Sequence, residues 1–101
     1  AKAKEYVHSA QVAMETCNTE KGGTYSGCTE AALKTIEPTL NSAVFKEVKV
    51  EEGEVAYKVA IEGAKSTQKF WVERSKAGVL GYKCEVAATG GCPTGGDWSK
   101  G

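Results

Sequence analysis

The sequence predicts an α+β fold in which a long N-terminal amphipathic helix packs on a four-stranded antiparallel sheet. Apolar residues recur every three to four positions up to about residue 19, which is the period of a helix. They recur at every second position in four short runs between about residues 43 and 86, which is the period of strands. Four cysteines in two close pairs indicate a disulfide-stabilised domain. We expect a single domain over residues 1–101.

The N-terminal helix is predicted over about residues 1–19. Its apolar stripe consists of Ala3, Tyr6, Val7, Ala10, Ala13, Met14 and Cys17. A lone helix of this length is marginally stable in water, so we expect the stripe to pack on another element. Val12 lies on the opposite, polar face. It is either a tolerated surface valine or a contact with a neighbouring subunit.

A glycine-rich turn and a short second helix follow. Gly22-Gly23 ends the first helix. Thr29 is expected to cap the N-terminus of a helix over about residues 30–36, because its hydroxyl can accept a hydrogen bond from a free backbone N–H. Pro38 disfavours helix at the residue before it and ends the run.

Four runs of alternating residues predict the strands, over about residues 44–51, 55–62, 69–75 and 79–86. Their short connections favour an antiparallel meander, because parallel strands need long crossovers. Strict alternation would put Val44, Val48 and Val50 on one face of the first strand and Phe45 on the other. In the fourth strand it would put Leu80, Tyr82, Cys84 and Val86 on one face.

The cysteine spacing favours the local pairs Cys17–Cys28 and Cys84–Cys92. Four cysteines allow three pairings, and a Cys17–Cys84 bond stays open at this point. Each local bond would stabilise the fold by about 2.5–3 kcal/mol in the chain-entropy model. Disulfides would place the chain outside the reducing cytosol. A metal site is the competing use of cysteine, but the sequence has no C-x-x-C spacing and only one histidine, His8.

Charge and hydropathy exclude several function classes. Thirteen basic and thirteen acidic residues give a formal net charge of zero, so we expect no general binding of nucleic acid or of an anionic membrane surface. No apolar run is long enough to span a bilayer. The chain starts at Ala1 without a secretory signal, from which we expect a mature or truncated form.

The sequence predicts no catalytic residue, no metal and no cofactor. Nucleophilic catalysis needs a serine or cysteine with a base and an orienting group. His8 lies on the polar face of the first helix, where a solvated surface histidine is expected. Glu51, Glu52 and Glu54 form the charged rim of a hairpin turn, which could bind a cation weakly. Asp97 has no second acidic residue in the tail with which to share a calcium ion.

Two tryptophans are candidate contact residues. Trp98 is the residue expected to anchor the glycine-rich tail, residues 87–101. Trp71 is predicted to point away from Phe70 in the third strand. Either the tail folds over Trp71 with Trp98 or Pro93, or Trp71 is a binding surface for a carbohydrate, a partner protein or a neighbouring subunit.

The chain resembles the globular headgroup of type IV pilins and pseudopilins. Three stretches carry the similarity: Ala13-Met14-Glu15-Thr16 through Gly22-Gly23-Thr24-Tyr25, Ala31-Ala32-Leu33-Lys34-Thr35-Ile36-Glu37-Pro38, and Gly90-Gly91-Cys92-Pro93-Thr94-Gly95-Gly96-Asp97-Trp98. The first is similar to the end of the pilin helix and its first loop. The second is similar to the short second helix of many bacterial pilins. The third is similar to the cysteine-bounded C-terminal region of the family.

The resemblance implies a structural subunit of an extracellular pilus-like filament. The family's peptidase site and its membrane segment of about twenty apolar residues are absent from this sequence. We therefore expect a soluble form lacking the apolar helix half. That half would anchor the protein in the membrane before assembly and then contact other copies, other pilins and the assembly machinery. The alternative is a secreted monomeric binding module, adhesin-like or inhibitor-like, with no filament role.

Overall fold

A computed structural model describes residues 2–51, 53–63 and 68–99. Its elements are helix α1 (Lys2–Glu20), helix α2 (Glu30–Ile36), a 3-10 turn (Pro38–Ser42), and strands β1 (Val44–Glu51), β2 (Ala56–Glu62), β3 (Lys69–Arg74) and β4 (Leu80–Cys84). The strands form one antiparallel sheet in the order β1-β2-β3-β4, which is the predicted α+β architecture. The predicted places of Ala1 in the first helix, Glu52 in the hairpin turn and Gly101 in the tail lie outside the described residues.

Helix α1 lies on one face of the sheet and contacts β2 and β3. Its buried residues are those of the predicted stripe: Ala3, Val7, Ala10, Ala13, Met14 and Cys17. Tyr6 is only partly buried at the margin of the same stripe. The burial of this stripe on the sheet stabilises a helix that would be marginal alone.

Helix α2 begins and ends where the sequence predicts. The Thr29 hydroxyl accepts a hydrogen bond from the Ala32 N–H at 3.3 Å, and the Glu37 N–H donates to the Leu33 carbonyl at 2.8 Å. Leu33 is fully buried in the core shared with α1. Ile36 of the same helix is partly buried against this core. The helix therefore depends on its cap and on these two apolar contacts, because a helix of seven residues is not stable alone.

Strict alternation along β1 is wrong. Phe45 lies opposite Ile61 and Glu47 opposite Ala60, so Lys46 is an extra residue in a β-bulge. The bulge places Phe45 on the same face as Val48 and Val50, which all pack against the core. Because Ile61 is fully buried, its opposite position favours an apolar side chain, while the bulged lysine stays at the surface.

Strands β2, β3 and β4 are shorter than predicted. Val55 lies in the turn before β2, and Ser75 follows the end of β3. Strand β4 ends at Cys84, beyond which the chain turns, so Val86 does not extend its core face and is 51% exposed. Leu80, at the other end of β4, is also exposed at 42%.

Two disulfides fix the ends of the fold, in the pairing that the local spacing favours. Cys17–Cys28 joins the last turns of α1 to the loop before α2, with the two Cα atoms 6.0 Å apart. Cys84–Cys92 joins the end of β4 to the tail, with a Cα separation of 5.9 Å. All four residues belong to the buried core.

Candidate interaction surfaces

The C-terminal tail runs along the outer edge of β4 and is anchored by Trp98, as predicted. The Trp98 backbone N–H donates to the Tyr82 carbonyl at 3.1 Å, and the Cys84 N–H donates to the Gly96 carbonyl at 3.1 Å. The indole is fully buried and donates through Nε1 to the Lys83 carbonyl at 2.7 Å. Its ring meets Phe70 edge-on on the helix-facing side of the sheet, with centroids 6.1 Å apart.

The N-terminal half of α1 holds the tail from the other side. The Lys4 ammonium donates to the Gly91 carbonyl at 3.2 Å. The His8 ring lies 5.1 Å from the Trp98 ring and 5.6 Å from the Tyr82 ring. His8 is exposed, as predicted, but its ring also packs on aromatic side chains that its position in the sequence does not reveal. A histidine held in this way contributes packing between α1 and the tail.

Trp71 lies on the outer face of the sheet and is half-buried. The alternative in which Trp98 packs on Trp71 is wrong, because Trp98 contacts Phe70, whose side chain points to the opposite face. Instead, the Lys58 ammonium lies 4.5 Å from the Trp71 ring centroid. The indole Nε1–H of Trp71 donates to a Glu73 carboxylate oxygen at 2.9 Å. A cation over the ring and a satisfied N–H stabilise this partly exposed tryptophan without cover from the tail.

Ion pairs extend from Trp71 across the outer face in both directions. Glu47 pairs with Lys58 at 3.3 Å, and Glu73 pairs with Lys83 at 3.6 Å. An open cavity of about 500 Å³ lies beside them, lined partly by Gly81 and Ala56. Because these charges are paired with one another, the surface is suited to recognition by hydrogen bonds and ring contact.

Glu15 forms a polar cluster with two buried tyrosines that the sequence did not predict. The Tyr25 hydroxyl donates to Glu15 Oε2 at 2.7 Å, and the Tyr57 hydroxyl lies 3.4 Å from the same oxygen. The two rings meet edge-on, with centroids 4.8 Å apart. No spacing rule links these positions, because they come from a helix, a loop and a strand.

Burial and the neighbouring carboxylate keep both phenols protonated. Burial first, and then the hydrogen bond and charge of Glu15, raise the pKa of Tyr25 to about 12, partly opposed by Arg74. The same causes, again with burial first, raise the pKa of Tyr57. Arg74 contacts the Tyr25 ring and donates to the Val55 carbonyl. The cluster therefore stabilises the fold and is poorly suited to proton transfer near neutral pH.

Val12 is 66% exposed on the outward face of α1. Among the residues that the structure describes, the other large apolar side chains with substantial exposure are those of Val44, Val79, Leu80 and Val86. Val12 is the only one of them on a helix. Val79 and Leu80 also line the open cavity of about 500 Å³.

Within residues 2–51, 53–63 and 68–99, no group of three or more histidine, cysteine or acidic side chains is placed to hold a metal ion. The helices of the same residues include none that is long and apolar enough to cross a membrane.

Comparison with known proteins finds no matching family model, no matching curated protein and no matching solved structure.

Proposed function

We propose that the protein is a structural subunit of an extracellular filament of the type IV pilus class. The observation that carries the proposal is the placement of α1. One stripe of the helix is buried on the sheet, while its outward face, which includes Glu5, Val12 and Thr16, is exposed. A filament subunit needs one buried and one exposed helix face, because its headgroup must pack on one side of the helix while the other side contacts neighbouring subunits.

The way in which both ends of α1 are held supports the same proposal. Cys17–Cys28 fixes its C-terminal end covalently. The N-terminal half is fixed by the contacts of Lys4 with Gly91 and of His8 with Trp98. In a filament, tension between subunits would pass through the helix into the headgroup. A helix joined to the domain at both ends can carry such a load without separating from the sheet.

The two disulfides agree with a location outside the cell. Bonds of this kind form and persist in oxidising compartments. In the filament proposal the headgroup would be exposed at the outer surface, and the bonds would stabilise a domain whose core is limited by its size. An apolar helix half, expected from the resemblance, would supply the membrane anchor and the packing between helices in the filament.

The direct test uses the complete reading frame in its own host. Antibody raised against this domain is applied to sheared surface filaments and followed by gold labelling in the electron microscope. The proposal predicts label at regular intervals along filaments, and loss of those filaments when the gene is deleted. Label confined to unassembled protein in the medium would contradict it.

A secreted binding module is the second candidate, and Trp71 is the observation that favours it. Trp71 is half-buried, and its contact partners Lys58 and Glu73 line an open cavity, so a carbohydrate ring or a partner side chain could stack on the indole. The two candidates make different predictions for Trp71→Ala. The binding module would lose its ligand in a screen of soluble oligosaccharides and host surface proteins, whereas the filament subunit would still assemble.

A further inference from the structure

The two edges of the sheet differ in whether their outer backbone groups are hydrogen-bonded. At β4, the tail supplies Gly96 and Trp98 as hydrogen-bond partners for the outer backbone groups of Cys84 and Tyr82. At β1, no described residue bonds to the outer backbone groups of the strand. An edge of this kind can pair with a strand from another chain.

The alternation of hydrogen bonds along the sheet shows which β1 residues direct their backbone N–H and carbonyl groups to the free edge. The Gly63 N–H donates to the Gln68 carbonyl at 2.8 Å and closes the β2–β3 hairpin. In an antiparallel pair the bonded residues alternate, so Lys58 and Ala60 direct their backbone groups away from β3 and toward β1. The same alternation, carried through β3, predicts that the backbone groups of Tyr82 and Cys84 in β4 point away from β3. The tail forms its backbone hydrogen bonds with these groups.

The consequence for β1 concerns Val48 and Val50. Lys49 and Glu47 lie opposite Lys58 and Ala60, so their backbone groups point inward to β2. The N–H and carbonyl groups of Val48 and Val50 therefore point to the open edge. The side chains of both valines face the core and are only half-buried there. A groove of about 390 Å³ lies between β1 and residues 27–30, and it leaves the core-facing side of the β1 edge accessible.

We propose that β1 binds β1 of a second copy of this chain as an antiparallel pair, with the two-fold axis at Val48. Val48 of each copy would then exchange two backbone hydrogen bonds with Val48 of the other. On the outer face, Glu47 of one copy would lie opposite Lys49 of the other, and this attractive pair occurs twice. Cross-strand pairs of opposite charge stabilise a sheet, and like charges in the same place destabilise it.

Charge and the length of strand overlap select this register over the neighbouring registers. A two-fold axis keeps both α1 helices on one side of the sheet, so only residues of the same face can lie opposite each other. An axis at Lys49 would place two lysines together and Glu47 opposite Glu51. An axis at Glu47 would place two glutamates together. An axis at Val50 would overlap the strands only over residues 49–51. The bulge at Lys46 and the charges of β1 also discourage indiscriminate pairing at the edge.

A pair of charge variants of the soluble domain tests the proposal, and its outcome does not depend on whether filaments form. The variants Glu47→Lys and Lys49→Glu each bring like charges together in a self-pair, whereas a 1:1 mixture restores two attractive pairs. Glu73→Lys is the matched control, because it also removes an ion pair of the outer face but lies away from β1.

Sedimentation equilibrium up to about 1 mM suits the measurement, because a single strand pair forms a small and weak interface. The association constant of the wild type should exceed that of either β1 variant by about tenfold. The mixture should recover to within about threefold of the wild type, and the control should match it. Absence of wild-type association at this concentration would overturn the proposal, as would a mixture that behaves like its two components.

Discussion

The Tyr25 hydroxyl donates a hydrogen bond of 2.7 Å to Glu15, and this contact joins the last turns of α1 to the loop that follows it. The Cys17–Cys28 bond crosses the same junction, so the helix end is held both covalently and by a charge-assisted hydrogen bond. Tyr57 of β2 approaches the same carboxylate at 3.4 Å. The helix, the loop and the sheet therefore meet at one carboxylate.

Removing the Tyr25 hydroxyl should destabilise the domain. Tyr25→Phe keeps the ring contact with Tyr57 but removes the short bond to an ionised group, which we expect to cost about 1.5–3 kcal/mol. Tyr57→Phe, with its longer approach to Glu15, should cost less, about 0.5–1.5 kcal/mol. Urea unfolding at pH 7 measures both values. Equal losses, or no loss for Tyr25→Phe, would mean that Glu15 does not join these elements.

The same phenols make stability fall at high pH. In the unfolded chain a tyrosine has a pKa of about 10. Burial, together with Glu15, raises the pKa of Tyr25 to about 12 in the fold. Above pH 10 the unfolded chain therefore loses its proton first, and the free energy of unfolding declines as the pH rises toward 12. Tyr25→Phe should show a shallower decline in urea midpoint between pH 9 and 11. An unchanged slope would contradict the assignment.

The two tryptophans should differ in their effect on stability. Trp98→Ala removes a fully buried ring that holds the tail against α1 and should cost about 3–5 kcal/mol. Trp71→Ala removes a half-buried ring on the outer face, where the loss should be clearly smaller. Thermal unfolding of the two variants at the same pH makes the comparison. A greater loss for Trp71→Ala would mean that the outer face belongs to the core.

The isolated domain should be monomeric in dilute solution. The apolar stripe of α1 is buried within the chain, and the edge pairing inferred for β1 is weak. Light scattering at about 10 µM should therefore give the mass of one chain. A stable oligomer at that concentration would show that this domain associates strongly by itself.

Most of the fold followed from periodic patterns, and the differences arise where one contact outweighs the pattern. The α1 stripe, the Thr29 cap and the order of the strands are local features, so the sequence predicts them. The bulge at Lys46 was not predictable, because it depends on the burial of Ile61 on another strand. The sequence left two alternatives open for the surroundings of Trp71, because the path of the tail decides between them.

The candidate surfaces were predictable only in part. Helical periodicity placed Val12 outward, and the glycine-rich tail singled out Trp98 as its anchor. The Glu15 cluster and the open edge of β1 gave no signal in the sequence. Both arise from residues that are distant along the chain, or from backbone groups whose direction depends on the neighbouring strand.

Val12→Glu in the complete protein tests the filament account most directly. In the soluble domain the substitution should change the free energy of unfolding by less than about 0.5 kcal/mol, because the side chain is largely exposed. In the proposed filament, a charge at this place on α1 should weaken assembly, since it would be desolvated between subunits. Val79→Glu is the control, because Val79 has similar exposure, 68%, but lies away from the helix.

The measurement is the filament yield of the two variants made in the complete reading frame, together with the melting temperature of each isolated variant domain. If α1 meets neighbouring subunits through its outward face, Val12→Glu lowers the filament yield severalfold, whereas Val79→Glu leaves it near wild type, and both variant domains melt as the wild type does. Normal filaments from Val12→Glu with an unchanged melting temperature would contradict the role of the outward face of α1 in assembly.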